Sequence, residues 1–380
     1  MKRTHATMLL ETQTSPTDSI FDLLNNDVLH EEIVPILTRC HDYAAVGALA
    51  QTCRRAAREI WPHVTHLRVP MSMHDEALMH FTGLTSLDLN INERVTDASL
   101  KCLTNLTALR AGWNRNVTDE SLGRLTRLTF LKLSQSAQCT DKSVRQLTRL
   151  TELWLDASKD ITDDGLLPLS SLTSLHLGVN TNITNKGLAH LTRLTELDLH
   201  WNRCITNKGL AGLGNLTALD LGRNTGITGR GLANLTRLTQ LRLGDNQNIT
   251  DKELEPFASL LTVLDLDYNT TITNASLERL GKHGKLVALS LGPSKKITDV
   301  GLQWLGDLRV LKLDDNKTIT DAGLTHLAHL TDLDVGWNAN ITDAGIATLA
   351  TLFGKLKVLR GGWTTSISQA TRSQFPSEHA

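Results

Sequence analysis

The chain has 380 residues, of which 40% are hydrophobic, 21% charged and only 4% aromatic. This composition excludes a disordered chain and an aromatic-rich core, and the length suits two or three ordinary domains or one long repeat array. A formal net charge of −1 leaves no bulk attraction to nucleic acid or to an anionic membrane.

Five cysteines, Cys40, Cys53, Cys102, Cys139 and Cys204, form no C-x-x-C pair, which argues against a disulfide framework or a zinc ribbon. No apolar run is long enough for a signal-peptide core or a membrane span. The expected setting is a reducing one, cytoplasmic or nuclear.

In chain order, residues 1–19 are polar and contain Ser15-Pro16, so disorder is expected there. From Ser19 the texture changes. Leu29, Ile33, Ile36 and Leu37 fall at helical spacing, as do Val46, Leu49, Cys53 and Ile60, with Asp42 as a cap and Pro62 as a stop. Residues 20–62 are therefore read as a small helical module.

Residues 63–368 are dominated by a repeat. The first leucine of an L-x-L pair falls at Leu87, Leu109, Leu131, Leu153, Leu175, Leu197, Leu219 and Leu241, and again at Leu264, Leu289, Leu311, Leu333 and Leu359. That makes about 13 repeats, most of them 22 residues long, with Leu67 and Val69 as a degenerate leading strand. The unit reads L-x-x-L-T-x-L-x-L-x-x-N-x-x-I-T-[DN]-x-G-L-x-x. The L-x-L pair places two apolar side chains on one side of a short strand. An asparagine column (Asn92, Asn114, Asn180, Asn202, Asn224, Asn246, Asn269, Asn316, Asn338) can bond backbone groups left open by a turn. An isoleucine column returns to the core. A threonine column then caps a short helix, and Thr250 with Glu253 has capping-box spacing. Residues 369–380 are read as a tail.

This pattern resembles the leucine-rich repeat family over about residues 65–368, in the short ITD-x-GL variant of F-box-associated repeats and bacterial GALA-type effectors. The resemblance implies an α/β solenoid, a horseshoe with parallel strands on its concave face and short helices on its convex face. The leading module resembles an F-box. Leu24-Asn25-Asn26-Asp27-Val28-Leu29 matches its opening motif and Thr52-Cys53-Arg54-Arg55 its closing one. Asn25 stands where proline is usual, and Ala56 where tryptophan is usual. The F-box resemblance implies a substrate-recognition subunit of a cullin ubiquitin ligase, bound to the ligase linker through Leu24, Val28, Leu29, Ile33 and Leu37. The other reading is a binding or scaffold protein in which the helices only shield the first repeat from water.

No catalytic constellation emerges. His30-Glu31-Glu32 lacks the second histidine of a zinc helix. His326 and His329 share a helix face in columns that hold arginine, asparagine or glutamine elsewhere. No phosphate loop is present, and neither a cofactor nor a metal is expected; the chain reads as a binding protein and not an enzyme.

Binding is expected on the concave face. The position between the paired leucines carries Trp154, Asp198, Asp220, Asp265 and Asp334, with Glu196 before it and His200 after it. Acids outnumber bases from about the fourth repeat onward, which suits a basic segment of a protein target. One further column holds Trp113, Trp201, Tyr268, Trp337 and Trp363, alongside Arg223, Asp245 and Asp315. Such charged occupants place it outside the core. Each ring there either anchors a partner or lies flat over a neighbouring repeat; Trp337 and Trp363, in adjacent repeats, are the stronger anchor pair. The chain is expected to be monomeric outside its complex.

Overall fold

A computed structural model describes residues 61–135, 138–361 and 366–375. Residues 1–60 lie outside the described part, and with them Leu24, Val28, Leu29, Ile33 and Leu37; so does Trp363.

The chain divides into two compact units, residues 1–176 and 177–380. The first holds six three-residue strands: β1 (His66–Arg68), β2 (Ser86–Asp88), β3 (Ala108–Arg110), β4 (Phe130–Lys132), β5 (Glu152–Trp154) and β6 (Ser174–His176). They pair in parallel and in chain order, Leu67 beside Leu87, Leu109, Leu131, Leu153 and Leu175. The second unit holds eight: β7 (Glu196–Asp198), β8 (Ala218–Asp220), β9 (Gln240–Arg242), β10 (Val263–Asp265), β11 (Ala288–Ser290), β12 (Val310–Lys312), β13 (Asp332–Asp334) and β14 (Val358–Arg360). They too pair in parallel and in chain order, leucine beside leucine from Leu197 to Leu359. This is the leucine-rich repeat architecture. The insertions do not disturb the register because they fall in the helical half of the repeat. A 3₁₀ turn at Glu255–Phe257 takes up one, and helices of ten residues at Asn274–His283 and Asp343–Leu352 take up the others. A further helix at Gln369–Arg372 carries the pattern past residue 368.

The leucine columns are almost wholly buried, each side chain contributing about 2 kcal/mol of apolar transfer. The asparagine column is buried too, and fully used. Asn202 donates from Nδ2 to the carbonyls of Leu177 (3.2 Å) and Asn180 (2.9 Å), and its Oδ1 accepts from the amides of Cys204 and Ile205 at 3.0 Å. An amide is the one side chain with two donors and an acceptor oxygen in that geometry.

Helix starts are tied between repeats. The Thr320 amide and hydroxyl donate to the two oxygens of Asp299 one repeat earlier (2.9 and 2.8 Å), while Thr320 Oγ1 accepts from the Ala322 amide at 3.3 Å. Asp75, Asp97, Asp119, Asp141, Asp251 and Asp321 do the same for the threonines that follow them, and Asn185, Asn207 and Asn274 substitute with an amide. The acceptor sits so close to the next helix that a Cβ at Gly231 would lie 2.6 Å from Asn207 Oδ1. Where serine replaces glycine, its hydroxyl donates to that carboxylate instead, as Ser276 does to Asp251 at 2.6 Å. Gly229 breaks the chain of ties, having no side chain to offer Thr250. Glu253 fills the vacated space and takes the Thr250 amide at 3.0 Å and its hydroxyl.

Candidate binding site on the strand face

The turn that ends each strand controls what the site can present. In Leu199–Asn202 the Asn202 amide donates to the Leu199 carbonyl at 3.0 Å, and Trp201 stands third in the turn with φ of 56°. That is a type II turn, whose third position normally selects glycine or asparagine. Ile91, Trp113, Gln135, Ala157, Val179, Arg223, Asp245, Tyr268, Asp315 and Trp337 share this left-handed backbone. Pro293 does not, because its ring fixes φ near −65°. The left-handed conformation costs about 1–2 kcal/mol for an L-residue, and none of the eleven positions uses glycine. The amides of this column hold it in place: Trp201 N–H donates to Gly222 O and Arg223 N–H to Gly244 O, both at 2.8 Å. The side chains project outward; Trp201 is 44% exposed, Tyr268 54%, Trp113 56% and Trp337 60%.

In the second unit, strands β7 to β10 and their turns enclose a shallow depression of about 430 Å³. Its lining includes Asp198, Asp220, Asp245, Asp265 and Asp267 against Arg223 and Arg242, with His200, Trp201 and Tyr268 at the sides and Gly222 and Gly244 in the floor. Five carboxylates thus face two guanidinium groups. Each strand aspartate first closes an Asx turn over its own strand end: Asp198 accepts from the His200 amide (2.9 Å), Asp220 from Gly222 (2.8 Å), Asp265 from Asp267 (3.0 Å) and Asp334 from Gly336 (3.1 Å). Their remaining electrostatics differ. Asp198 also meets His200 Nδ1 at 2.8 Å. The Asp220 side chain is only 18% exposed, and its nearest cation, Arg242 Nη1, is 3.9 Å away. Burial, then the charge of Asp198, pushes the Asp220 carboxyl up to about 6. Burial and Asp267 raise Asp265 as well. Asp314, beyond the depression, is raised by burial and by Asp334.

Arg223 is held differently. Its guanidinium lies 4.3 Å above the Trp201 ring, and its Nε pairs with Asp245 Oδ2 at 3.0 Å. Trp201 therefore has one face covered by the next repeat and keeps only part of its surface for a partner.

Of the residues expected from sequence, Asp198, His200, Trp201, Asp220, Asp265 and Tyr268 come together at this depression. Glu196, Asp334 and Trp337 belong to the same unit but do not line it. Trp113 and Trp154 belong to the first unit. Trp154 is enclosed there: Lys132 Nζ sits 4.2 Å from its ring centroid, His176 stacks on it at 3.7 Å, and its Nε1 donates to Glu152 at 2.7 Å. Both ring faces are occupied, and the stacked His176 is itself buried. Arg223, Arg242, Asp245 and Asp267 are site residues that column-by-column reading did not single out. The signal for them was the pair of adjacent repeats with glycine at the same place, LDLGRN and LRLGDN, which removes two side chains from the middle of the face.

A family profile described as "Leucine Rich repeat" matches residues 190–214, 215–236, 307–328 and 326–350. Among curated proteins nothing matches the chain. Among solved structures it is similar to an internalin, InlF, of Listeria monocytogenes, at 26% identity over 89% of this chain and 95% of that one, with a TM-score of 0.54. It is similar in fold to a chain of the yeast Rad7–Elc1 complex, at 16% identity over 91% and 89% of the two chains and a TM-score of 0.55. It also shares its fold with the TLR13–ssRNA13 complex, at 22% identity, covering 80% of this chain and half of that one, with a TM-score of 0.53. No helix among the described residues is long and apolar enough to cross a membrane.

Proposed function

We propose that the chain is a protein-binding leucine-rich repeat protein that holds a basic segment of a target on the strand face of residues 177–380. The depression carries the reading: it gathers five carboxylates against two guanidinium groups beside two exposed aromatic rings. Such a surface steers and selects a cationic partner, while the aromatic rings supply contact area. Glu196, Asp334 and Trp337 extend the face, and Trp363 is assigned to it with Trp337. Trp113 and Trp154 are the corresponding aromatics of the first unit, Trp154 through its edge alone. The chain supplies proximity and no chemistry of its own. It needs no cofactor, nucleic acid or membrane, and acts as a monomer outside its complex, in cytoplasm or nucleus.

Residues 20–62 make the finer assignment. On the F-box-like motif at Leu24–Leu29, the chain is the substrate-recognition subunit of a cullin ubiquitin ligase, with Leu24, Val28, Leu29, Ile33 and Leu37 on the linker subunit. The alternative, a scaffold with a purely shielding helical cap, is favoured by one observation: Trp61 is wholly buried and packs on Phe81 at a centroid distance of 5.1 Å, so the end of that module is already part of the first repeat's core.

Two measurements test these readings. The intact chain and a Leu29→Lys/Ile33→Lys variant are each mixed with purified linker; capture by the intact chain alone supports the ligase role, and capture by neither removes it. Acetylated octapeptides carrying three lysines or three arginines among glycine and serine are titrated onto the intact chain. Binding that weakens with salt, and is lost on Asp198→Asn/Asp220→Asn/Asp265→Asn, supports the acidic face; binding unchanged by the triple substitution refutes it.

A further inference from the structure

The molecule contains its own example of how this face holds a cation. Arg223 lies flat on the Trp201 ring, and Asp245 closes the contact from the next repeat. All three side chains stand on the left-handed column, so the backbone sets them at successive repeats with the same outward direction. Moving along the column, Tyr268 is the next aromatic. It has the same backbone (φ 57°), is 54% exposed, and borders the same depression. Among the described residues no cation lies over its ring, whereas the Trp201, Trp154, Trp304 and Phe130 rings each carry one. Its own repeat contributes Asp265; the cations that act on its carboxyl, Arg242 on β9 and Lys312 on β12, stand one strand before it and two strands beyond it. Beside them Gly244 presents no side chain, and a methyl group built there would already be in contact with Asp267 O at 3.6 Å and Asp265 Oδ1 at 3.9 Å.

We propose that the depression seats one arginine side chain of the bound segment, its guanidinium laid on the Tyr268 ring and paired with the Asp265 carboxylate. The assignment rests on the basic-segment reading above and narrows it from a charge to a shape. A planar guanidinium stacks on an aromatic face and presents a two-pronged edge to a carboxylate; an ammonium group is a more strongly hydrated point charge and does neither as well. Arg242 supplies none of this, because it sits in the strand column beside Asp220 rather than over a ring. The bound arginine also brings positive charge to the side of the depression where Asp265 and Asp267 crowd each other.

The octapeptides with three arginines, three lysines or three citrullines are titrated onto the intact chain at pH 7.5 and low salt. Citrulline keeps the planar shape and loses the charge. The arginine peptide is expected to bind about two- to fivefold tighter than the lysine peptide, with the citrulline peptide not binding. Tyr268→Asn removes the ring and eases the left-handed backbone, so folding is preserved; it should abolish the arginine preference, leaving the arginine and lysine peptides equal in affinity on that variant. Tyr268→Phe should retain the preference. Equal affinity for arginine and lysine, or a preference that survives Tyr268→Asn, overturns the assignment while leaving the acidic face standing. Failure of all three peptides to bind overturns both.

Discussion

Replacing Asp220 by asparagine isolates the least comfortable charge on the strand face. The amide is isosteric and its oxygen can still accept the Gly222 amide that Asp220 takes at 2.8 Å, so the change removes charge and little else. An ordinary aspartate titrates at 3.8; here burial and Asp198 raise the carboxyl to about 6. Each tenfold change in proton affinity is worth about 1.4 kcal/mol, so ionised Asp220 costs the fold up to about 3 kcal/mol. The sign follows from where the protons are. Below pH 4 the group is protonated in both folded and unfolded chains, and the variant gains nothing. Between pH 4 and 6 the folded chain binds more protons, and stability falls as pH rises. Above pH 6 the full penalty is present. Urea unfolding at pH 4 and 7.5 should therefore show Asp220→Asn close to wild type at the lower pH and about 1–3 kcal/mol more stable at the higher, with an unchanged denaturant slope. A variant no more stable at pH 7.5, or one whose advantage is the same at both pH values, refutes the reasoning. The same titration predicts that a cationic peptide binds more tightly as pH rises through 6, with proton release.

The remaining predictions concern the frame of the site. Asn202→Asp keeps the size of the side chain but turns two donors into an acceptor facing the Leu177 and Asn180 carbonyls; a loss of about 3 kcal/mol or more is expected in the same unfolding assay, and a near-neutral result would contradict the role given to the column. Glu253→Ala removes the cap of Thr250 and should lower stability by about 1 kcal/mol, with Gly229→Asp added to it restoring the loss. Because the Thr250 hydroxyl holds the Glu253 carboxyl below its usual range, the Glu253 contribution should be present near neutral pH and fade as pH falls through that lowered value. Val179 is β-branched at φ 59° and half exposed, so Val179→Asn should raise the thermal midpoint by the equivalent of about 1 kcal/mol; a lower midpoint would show that the valine packs better than its exposure suggests.

The strand register was readable from the sequence because the L-x-L pair repeats with a period the insertions interrupt only in the helical half. Asn202 and Thr320 were readable for the same reason: one residue type recurs where one backbone geometry recurs. The left-handed column was not. Most of its occupants are tryptophan, valine, isoleucine and arginine, types that local preference assigns anywhere but a positive φ, and the conformation is imposed by hydrogen bonds to the following repeat. The acids of the depression were visible in their columns, but the state of Asp220 was not, since its burial comes from neighbouring repeats. Arg223 shows the limit most clearly. Its stacking on Trp201 and pairing with Asp245 join positions 22 residues apart on either side, and only the stacked repeats make them neighbours.

The ties between helix starts run in one direction. Except at Gly229–Thr250, an aspartate or asparagine serves the threonine of the repeat after it, or Ser368 in the case of Asp343, and the partner at the next helix is most often glycine or serine according to the space and acceptor it meets. Serine follows only aspartate, as in Asp75–Ser99 and Asp251–Ser276; glycine follows either acceptor, as in Asn207–Gly231 and Asp299–Gly323. The joint is thus a coupler with a small grammar, kept on the side of the repeat away from the strands. Duplication or exchange of whole repeats that respects this grammar leaves the scaffold intact while rewriting the letters on the strand face. A surface of this kind can change its ligand by recombination, without passing through an unfolded intermediate sequence.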